Sequence, residues 1–336
     1  MQISIGFIEI FGSFNIDFSP INMLRFLLVI LCLSSVLYFP EVNAQSSKEL
    51  FSALKNNDLN GVKLALTNGV SANSYDEDSD HVLMYAALYS SIDIMQLLLE
   101  KGSNPNAKNM MDETPLMWSV HDAAKTKLLL DHGADINAKA KSGNTALLVA
   151  SVGFGKYEII KFLLDRGADP LVINNKKENA LMRAALFGDT ATISLLLSKG
   201  IDINAMAGDS TTALINSIFN VNRLVTIQLL ERGADADLVS NFGFTATSAA
   251  VIYNDIESVK AILKKAKNIN APDYDGYTSL MWAAYNEHDN IGIIQALLDK
   301  GADVNIKAKD GSTALSWALK KGNTATVALL KKAGAK

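Results

Sequence analysis

The sequence predicts an all-α fold, a solenoid in which short helix pairs stack one on the next. Two observations support this prediction: a helix-start position recurs nine times, and a leucine-rich segment ending in glycine recurs with it. The helix-start positions are Lys48, His81, Thr114, Thr145, Asn179, Thr212, Thr245, Thr278 and Thr313. Their spacing is 31 to 35 residues, and a period near 33 is typical of repeat proteins whose units cannot bury their apolar faces alone.

Each unit is expected to contain two helices. A threonine hydroxyl at the start of the first helix can accept a bond from a free amide, and in Thr114-Pro115 the proline suits the first helical position. The second helix carries leucines for the core, as at residues 97–99, 128–130 and 195–197. Glycine then ends it in a left-handed conformation, and an extended loop follows. These glycines are Gly69, Gly102, Gly133, Gly167, Gly200, Gly233 and Gly301.

The segments at residues 133–138, 301–305 and 310–315 read Gly-Ala-Asp-Ile-Asn-Ala, Gly-Ala-Asp-Val-Asn and Asp-Gly-Ser-Thr-Ala-Leu. They resemble ankyrin repeats, and the resemblance covers nine copies over residues 46–336. It implies helix-turn-helix units with β-turn fingers along one edge. It also implies protein binding through the finger tips and the concave first-helix face.

The sequence departs from the family pattern at two kinds of position. The usual histidine after the helix start is replaced, so packing is expected to hold those turns. The replacing residues are Met84, Met117, Leu148, Met182, Ile215, Ser248, Met281 and Ser316. Ala266 and Ala333 stand where a helix-ending glycine is expected, and a left-handed alanine would cost roughly 1 to 2 kcal/mol.

The segment before the repeats is typical of a secretory signal peptide. From Met23, Arg25 is followed by apolar residues at 26–39 and by Val42-Asn43-Ala44. We therefore expect residues 23–44 to be a signal peptide and 45–336 the repeat domain. Residues 1–22 lack a basic residue and would be an upstream extension. The alternative is a membrane anchor at residues 24–39, although that run is short for a span.

The sequence predicts an exported, non-enzymatic protein. The single cysteine, Cys32, lies in the apolar run, and none of the common catalytic or phosphate-binding motifs occurs. The acidic run at residues 76–80 lacks the glycine of a calcium loop and is expected to be a solvated finger. We expect surface or turn roles for the four histidines, core packing for the methionines, and no cofactor, metal or small-molecule substrate. We expect no nucleic-acid partner, because the formal net charge is −4 and the sequence shows no basic stripe.

Aromatic residues are enriched at the outward positions of the repeats, which are the finger tips and first-helix ends. We predict that they bind a partner. They are Tyr89, Phe187, Phe219, Phe242, Phe244, Tyr253, Tyr274, Tyr277 and Tyr285. The sequence is therefore interpreted as an exported protein-binding module, in the periplasm or secreted. An anchored envelope scaffold or inhibitor and a secreted host-directed effector remain alternatives.

The signal-peptide interpretation predicts that the mature chain begins at Gln45, because the small-residue pattern ends at Ala44. N-terminal sequencing of the protein recovered from fractionated cells measures this directly. A Met23 start in the membrane fraction would instead establish the anchor.

Overall fold

The computed structural model describes residues 41–241, 243–253, 255–286 and 290–336. Eighteen helices form nine consecutive pairs over these residues, which contain no strand. The helices are α1 (Glu41–Lys55), α2 (Leu59–Thr67), α3 (Val82–Tyr89), α4 (Ile92–Glu100), α5 (Pro115–Ser119), α6 (Ala123–Asp131), α7 (Ala146–Ala150), α8 (Tyr157–Asp165), α9 (Ala180–Phe187), α10 (Thr190–Ser198), α11 (Ala213–Phe219), α12 (Arg223–Glu231), α13 (Ala246–Ile252), α14 (Ile256–Leu263), α15 (Ser279–Tyr285), α16 (Ile291–Asp299), α17 (Ala314–Lys321) and α18 (Thr324–Lys332). The all-helical repeat fold is therefore confirmed. Residues 23–40 of the predicted signal peptide and Phe242 lie outside the described residues.

The chain packs as two compact units. The first runs to Ala150 and includes Phe162–Ala168, and the second contains Ser151–Lys161 and Asp169–Lys336. In the first unit α3 packs between α1 and α5, while α4 packs between α2 and α6. In the second unit the first helices α9, α11, α13, α15 and α17 pack in succession, as do the second helices α10, α12, α14, α16 and α18. Each unit thus has a layer of first helices and a layer of second helices.

Helix starts follow the predicted capping chemistry. The side chains of Thr212, Thr245, Thr278 and Thr313 accept bonds from backbone amides three residues later, at 3.2 to 3.4 Å. Thr114 is the exception, because its buried hydroxyl oxygen has no hydrogen-bond partner. Lys48 was wrongly predicted to start a helix. It lies inside α1, which already begins at Glu41.

The turns without the family histidine are held in two ways. Met84, Met117, Met182 and Met281 are at most 4% exposed, so the predicted packing role is confirmed for them. Ser248 and Ser316 behave differently from that prediction. Each hydroxyl accepts the amide of the capping threonine at 2.9 Å, which completes a capping box.

The two alanines at glycine positions avoid backbone strain. Ala333 is the C-cap of α18 with φ −80°, and Gly334 takes the left-handed conformation with φ 93°. Ala266 is not among the residues with positive φ. Its amide instead bonds to the carbonyl oxygen of Ile262 at 2.8 Å. The penalty considered for left-handed alanine is therefore absent at both ends.

A recurring side-chain hydrogen bond, the side-chain bridge, joins most of the described loops to the next. The Asn73 amide donates to the Gly102 carbonyl at 2.9 Å, and its oxygen accepts the amide of Asn104 at 2.7 Å. Asn106 bonds in the same way to Gly133 and to the amide two residues after it. In the second unit Asn305 makes both bonds, to the Gly334 carbonyl and from the Lys336 amide, whereas Asn204, Asp237 and Asn270 accept a backbone amide of the next loop. Each of these residues lies four positions after the helix-ending residue.

Leu171 holds the bridge position in the loop after Gly167, is 59% exposed and has no side-chain amide. Its loop has the usual turn, because its amide donates to the Asp169 carboxylate at 2.9 Å. Leu171→Asn should restore the bridge and raise the free energy of unfolding by about 1 kcal/mol. Urea denaturation measures this, with Leu171→Ala as the matched control. An equal gain in both variants would contradict the bridging explanation.

Candidate functional site

The predicted site residues are distributed over both units. Tyr89 ends α3 in the first unit, and the other described members belong to the second. Tyr253, Tyr274 and Tyr285 are exposed by 38, 58 and 40%. The remaining described members are half-buried: Tyr89, Phe187, Phe219, Phe244 and Tyr277. Each described side chain is therefore at least partly accessible, as the outward positions require.

Three of the predicted residues meet around two tryptophans. The rings of Phe244 and Tyr277 lie 6.0 and 5.6 Å from the ring of Trp282. Tyr285 lies 6.0 Å from Trp282 and 4.9 Å from Trp317, and Tyr277 lies 6.2 Å from Trp317. All five contacts have the edge-to-face or tilted geometry that aromatic pairs prefer. We call Phe244, Tyr277, Trp282, Tyr285 and Trp317 the aromatic cluster.

The other predicted residues form separate contacts. Phe219 and Tyr253 pair at 5.9 Å, and Phe187 pairs with Phe154 at 5.5 Å. Tyr89 lies 5.7 Å from the buried ring of Tyr85 in the first unit. Tyr274 stands at a finger tip, and its hydroxyl donates a long bond of 3.5 Å to the Ser240 carbonyl. Within the second unit, the described positions outside the aromatic cluster thus form separate ring pairs, and the predicted binding role of all nine positions stays a prediction.

The sequence prediction did not include the two tryptophans, because they lie at neither the finger tips nor the first-helix ends. A signal for them was present in the sequence. Trp282 and Trp317 each stand four residues after a capping threonine, Thr278 or Thr313. In an α-helix, that spacing sets a side chain one turn above the helix start, on the same face. Trp118 and Arg183 occupy the same register after Thr114 and Asn179.

Acidic finger residues hold these side chains by their polar tips. Trp282 donates from Nε1 to the Asp273 carboxylate at 2.9 Å, and the Tyr277 hydroxyl donates to Asp310 at 2.8 Å. The pKa of Asp310 is lowered by the hydrogen bond from the Ser312 amide, which has the largest effect, and by the bond from the Tyr277 hydroxyl. The bond to Asp310 in turn raises the pKa of Tyr277. These bonds fix the rings of adjacent repeats against one another.

Two lysines cover the ring faces at the helix-end side of the aromatic cluster. The ammonium of Lys320 lies 4.5 Å from the Trp317 centroid, and that of Lys321 lies 4.1 Å from the Tyr285 centroid. Both distances fall in the range of cation–π attraction. The cluster can therefore bind cationic groups on its faces as well as apolar side chains.

The acidic finger of the first unit is less solvated than predicted. The Asp76 carboxylate accepts the amides of Asp78 and Asp80 and the Tyr85 hydroxyl. Burial, with repulsion from Asp76, Glu113 and Asp78, raises the pKa of Asp80 to about 6, despite a hydrogen bond from Asn109. The residues that the structure describes contain no group of three metal-ligating side chains.

His81 has the turn role that was predicted, but it is buried. Its Nδ1 accepts the Leu83 amide at 3.2 Å as the cap of α3. Burial lowers the pKa of His81 to about 4, so the ring is neutral near pH 7 and Nδ1 is free to accept. His288 lies outside the described residues.

The family model for ankyrin repeats (3 copies) matches overlapping segments at residues 50–140, 104–173, 126–207, 147–239, 213–308 and 275–336. The chain therefore belongs to the ankyrin repeat family. It is 24% identical over 266 residues to the ankyrin repeat protein L371 of Acanthamoeba polyphaga mimivirus, covering 74% of this chain and 34% of that protein. It is 27% identical over 175 residues to the human transient receptor potential cation channel subfamily A member 1. That match covers 49% of this chain and 16% of the channel subunit.

Ankyrin repeats indicate a protein–protein interaction module and are generally non-enzymatic. The chain spans about a third of L371 and 43% of the fowlpox virus ankyrin repeat protein FPV031, which is 28% identical over 159 residues and matches 46% of this chain. None of the helices in the described part of the chain is long and apolar enough to cross a membrane.

The raised pKa of Asp80 gives a pH-dependent prediction. The folded carboxyl keeps its proton up to about pH 6, whereas an unfolded aspartate loses its proton near pH 4. The folded state therefore loses stability as the pH rises from about 4 to 6. Asp80→Asn removes this loss and retains an oxygen for Asn109. It should raise the free energy of unfolding by about 1 kcal/mol at pH 7, after allowance for solvent screening.

Urea denaturation at pH 7 and below pH 4 checks this, because the gain should disappear at the lower pH. Glu49→Gln removes a charge from an exposed position on α1 and should change stability little. A gain of equal size at both pH values would contradict the electrostatic cause.

Proposed function

We propose that this chain is an exported, non-enzymatic protein that binds a protein partner through the aromatic cluster. The observation that carries the proposal is the set of five rings held together at partly exposed positions by mutual contacts. Tryptophan and tyrosine are the side chains that most often contribute large binding energies at protein interfaces.

The arrangement favours binding because the rings are ordered before a partner arrives. Trp282 and Tyr277 are each fixed by a hydrogen bond to a carboxylate and by ring contacts. Side chains that are already immobilised lose little conformational entropy on association. A partner that covers the exposed edges of these rings removes apolar area from water, which supplies the favourable free energy.

Export is the second part of the proposal. It is supported by the apolar run at 26–39, which ends in a small-residue pattern at Ala44. The chain would then meet its partner in the periplasm or outside the cell. Its role there would be that of an envelope scaffold, an inhibitor or a host-directed effector. Retention of residues 24–39 as an anchor would place the same binding surface at a membrane. Cell fractionation separates these cases.

The binding part is tested by Phe244→Ala combined with Tyr277→Ala. Removing two rings that both contact Trp282 should weaken partner binding at least tenfold, since buried aromatic anchors commonly contribute about 2 kcal/mol or more each. A partner is captured on the wild-type chain, purified, and titrated by calorimetry against both chains. Circular dichroism confirms the fold of the variant.

Phe162→Ala is the matched control, because it removes a half-buried ring from the second helix of a pair. It should leave the affinity unchanged. Equal affinity of the folded double variant and the wild type would exclude the aromatic cluster as the binding surface.

A further inference from the structure

Carboxylates border the aromatic cluster on its finger side. Asp273 accepts the Trp282 indole and Asp310 accepts the Tyr277 hydroxyl. Asp275 is exposed, and its carboxylate accepts no hydrogen bond within the described part of the chain. The two fingers are joined by the Lys309 amide, which donates to the Asp275 carbonyl at 2.9 Å. Asp275 and Asp310 therefore lie on directly adjacent fingers.

Within the described part of the chain, these carboxylates form no ion pair. Across residues 41–241, 243–253, 255–286 and 290–336, the ion pairs include Arg223 with Asp255 at 2.9 Å and Arg166 with Asp131 at 3.0 Å. None of the ion pairs in those ranges involves Asp275, Asp310 or Lys309. The finger side of the cluster thus presents negative charge to a partner.

A ring at this edge is available to a cation. Tyr274 precedes Asp275, follows Asp273 and is 58% exposed, more than any other described member of the predicted site. On the helix-end side, Lys320 and Lys321 already lie over ring faces of the cluster. These two contacts are examples of ammonium groups lying over aromatic ring faces of the cluster. No lysine or arginine lies over Tyr274 within the described ranges.

We propose that the occupant of this surface is a basic segment of a partner protein. An arginine or lysine of that segment lies against the Tyr274 ring beside Asp275 and Asp310, and a neighbouring apolar side chain contacts the aromatic cluster. The cation gains attraction from both the ring quadrupole and the carboxylates. An acidic segment would meet like charges at the same place. The inference rests on the proposed function and adds the chemistry of the partner.

The test uses a random library of 12-residue peptides displayed on phage. The library is selected on the full chain and counter-selected on the Phe244→Ala, Tyr277→Ala variant, so that only peptides requiring the rings remain. Selected peptides are synthesised and titrated by calorimetry at low and high salt. We expect an arginine or lysine beside an apolar residue in the selected sequences, and binding that weakens as salt rises.

Two charge-removing variants then locate the cation. Asp275→Asn together with Asp310→Asn should weaken the selected peptides about tenfold at low salt, and by less at high salt. The control, Glu231→Gln with Asp299→Asn, removes two charges from the exposed ends of α12 and α16. It should change binding less than about twofold. Asp275→Asn alone leaves the Tyr277 bond to Asp310 intact and should still weaken binding about threefold.

The outcomes separate the two proposals. Peptides that require the rings but lack a basic residue, or that bind both Asp275→Asn variants as tightly as wild type, overturn the basic segment while the binding surface stands. A selection that returns no ring-dependent peptide overturns both proposals.

Discussion

The side-chain bridge between loops is the interaction on which the arrangement depends. Asn73, Asn106 and Asn305 each donate to a helix-end carbonyl of the following repeat, and each accepts a backbone amide of that repeat's loop through the side-chain oxygen. Such terminal carbonyls have no partner within their own helix. Because the bridge recurs about every 33 residues, it repeats one geometry along each unit. The contacts between rings of adjacent repeats require that repetition.

Most of the fold was predictable because its rules are local. A capping threonine such as Thr278, a buried methionine such as Met281 and a helix-ending glycine each act within a few residues. The failures lie where one local signal competes with another. Ser248 bonds back to Thr245 where packing was expected. At the end of α18, Gly334 takes the left-handed conformation that was expected of Ala333, which is the C-cap.

The candidate site was less predictable because it depends on contacts between repeats. Position in the repeat correctly indicated that Phe244 and Tyr277 are accessible. Their common neighbour, however, is Trp282, which lies inside a first helix and not at a finger tip. The burial of Asp80 likewise involves Asn109, a residue of the next finger. The outward positions of single repeats do not specify which side chains of adjacent repeats contact each other.

The start of α1 sets an order of events for an exported chain. The peptide bond after Ala44 lies within the first turn of this helix, which begins at Glu41. A backbone held in helical hydrogen bonds must open locally before a protease can reach it. A signal peptidase would therefore act before the first helix pair forms. Cleavage also leaves a positive amino group at the positive end of the helix dipole, so the new first turn would fray more readily than the precursor's.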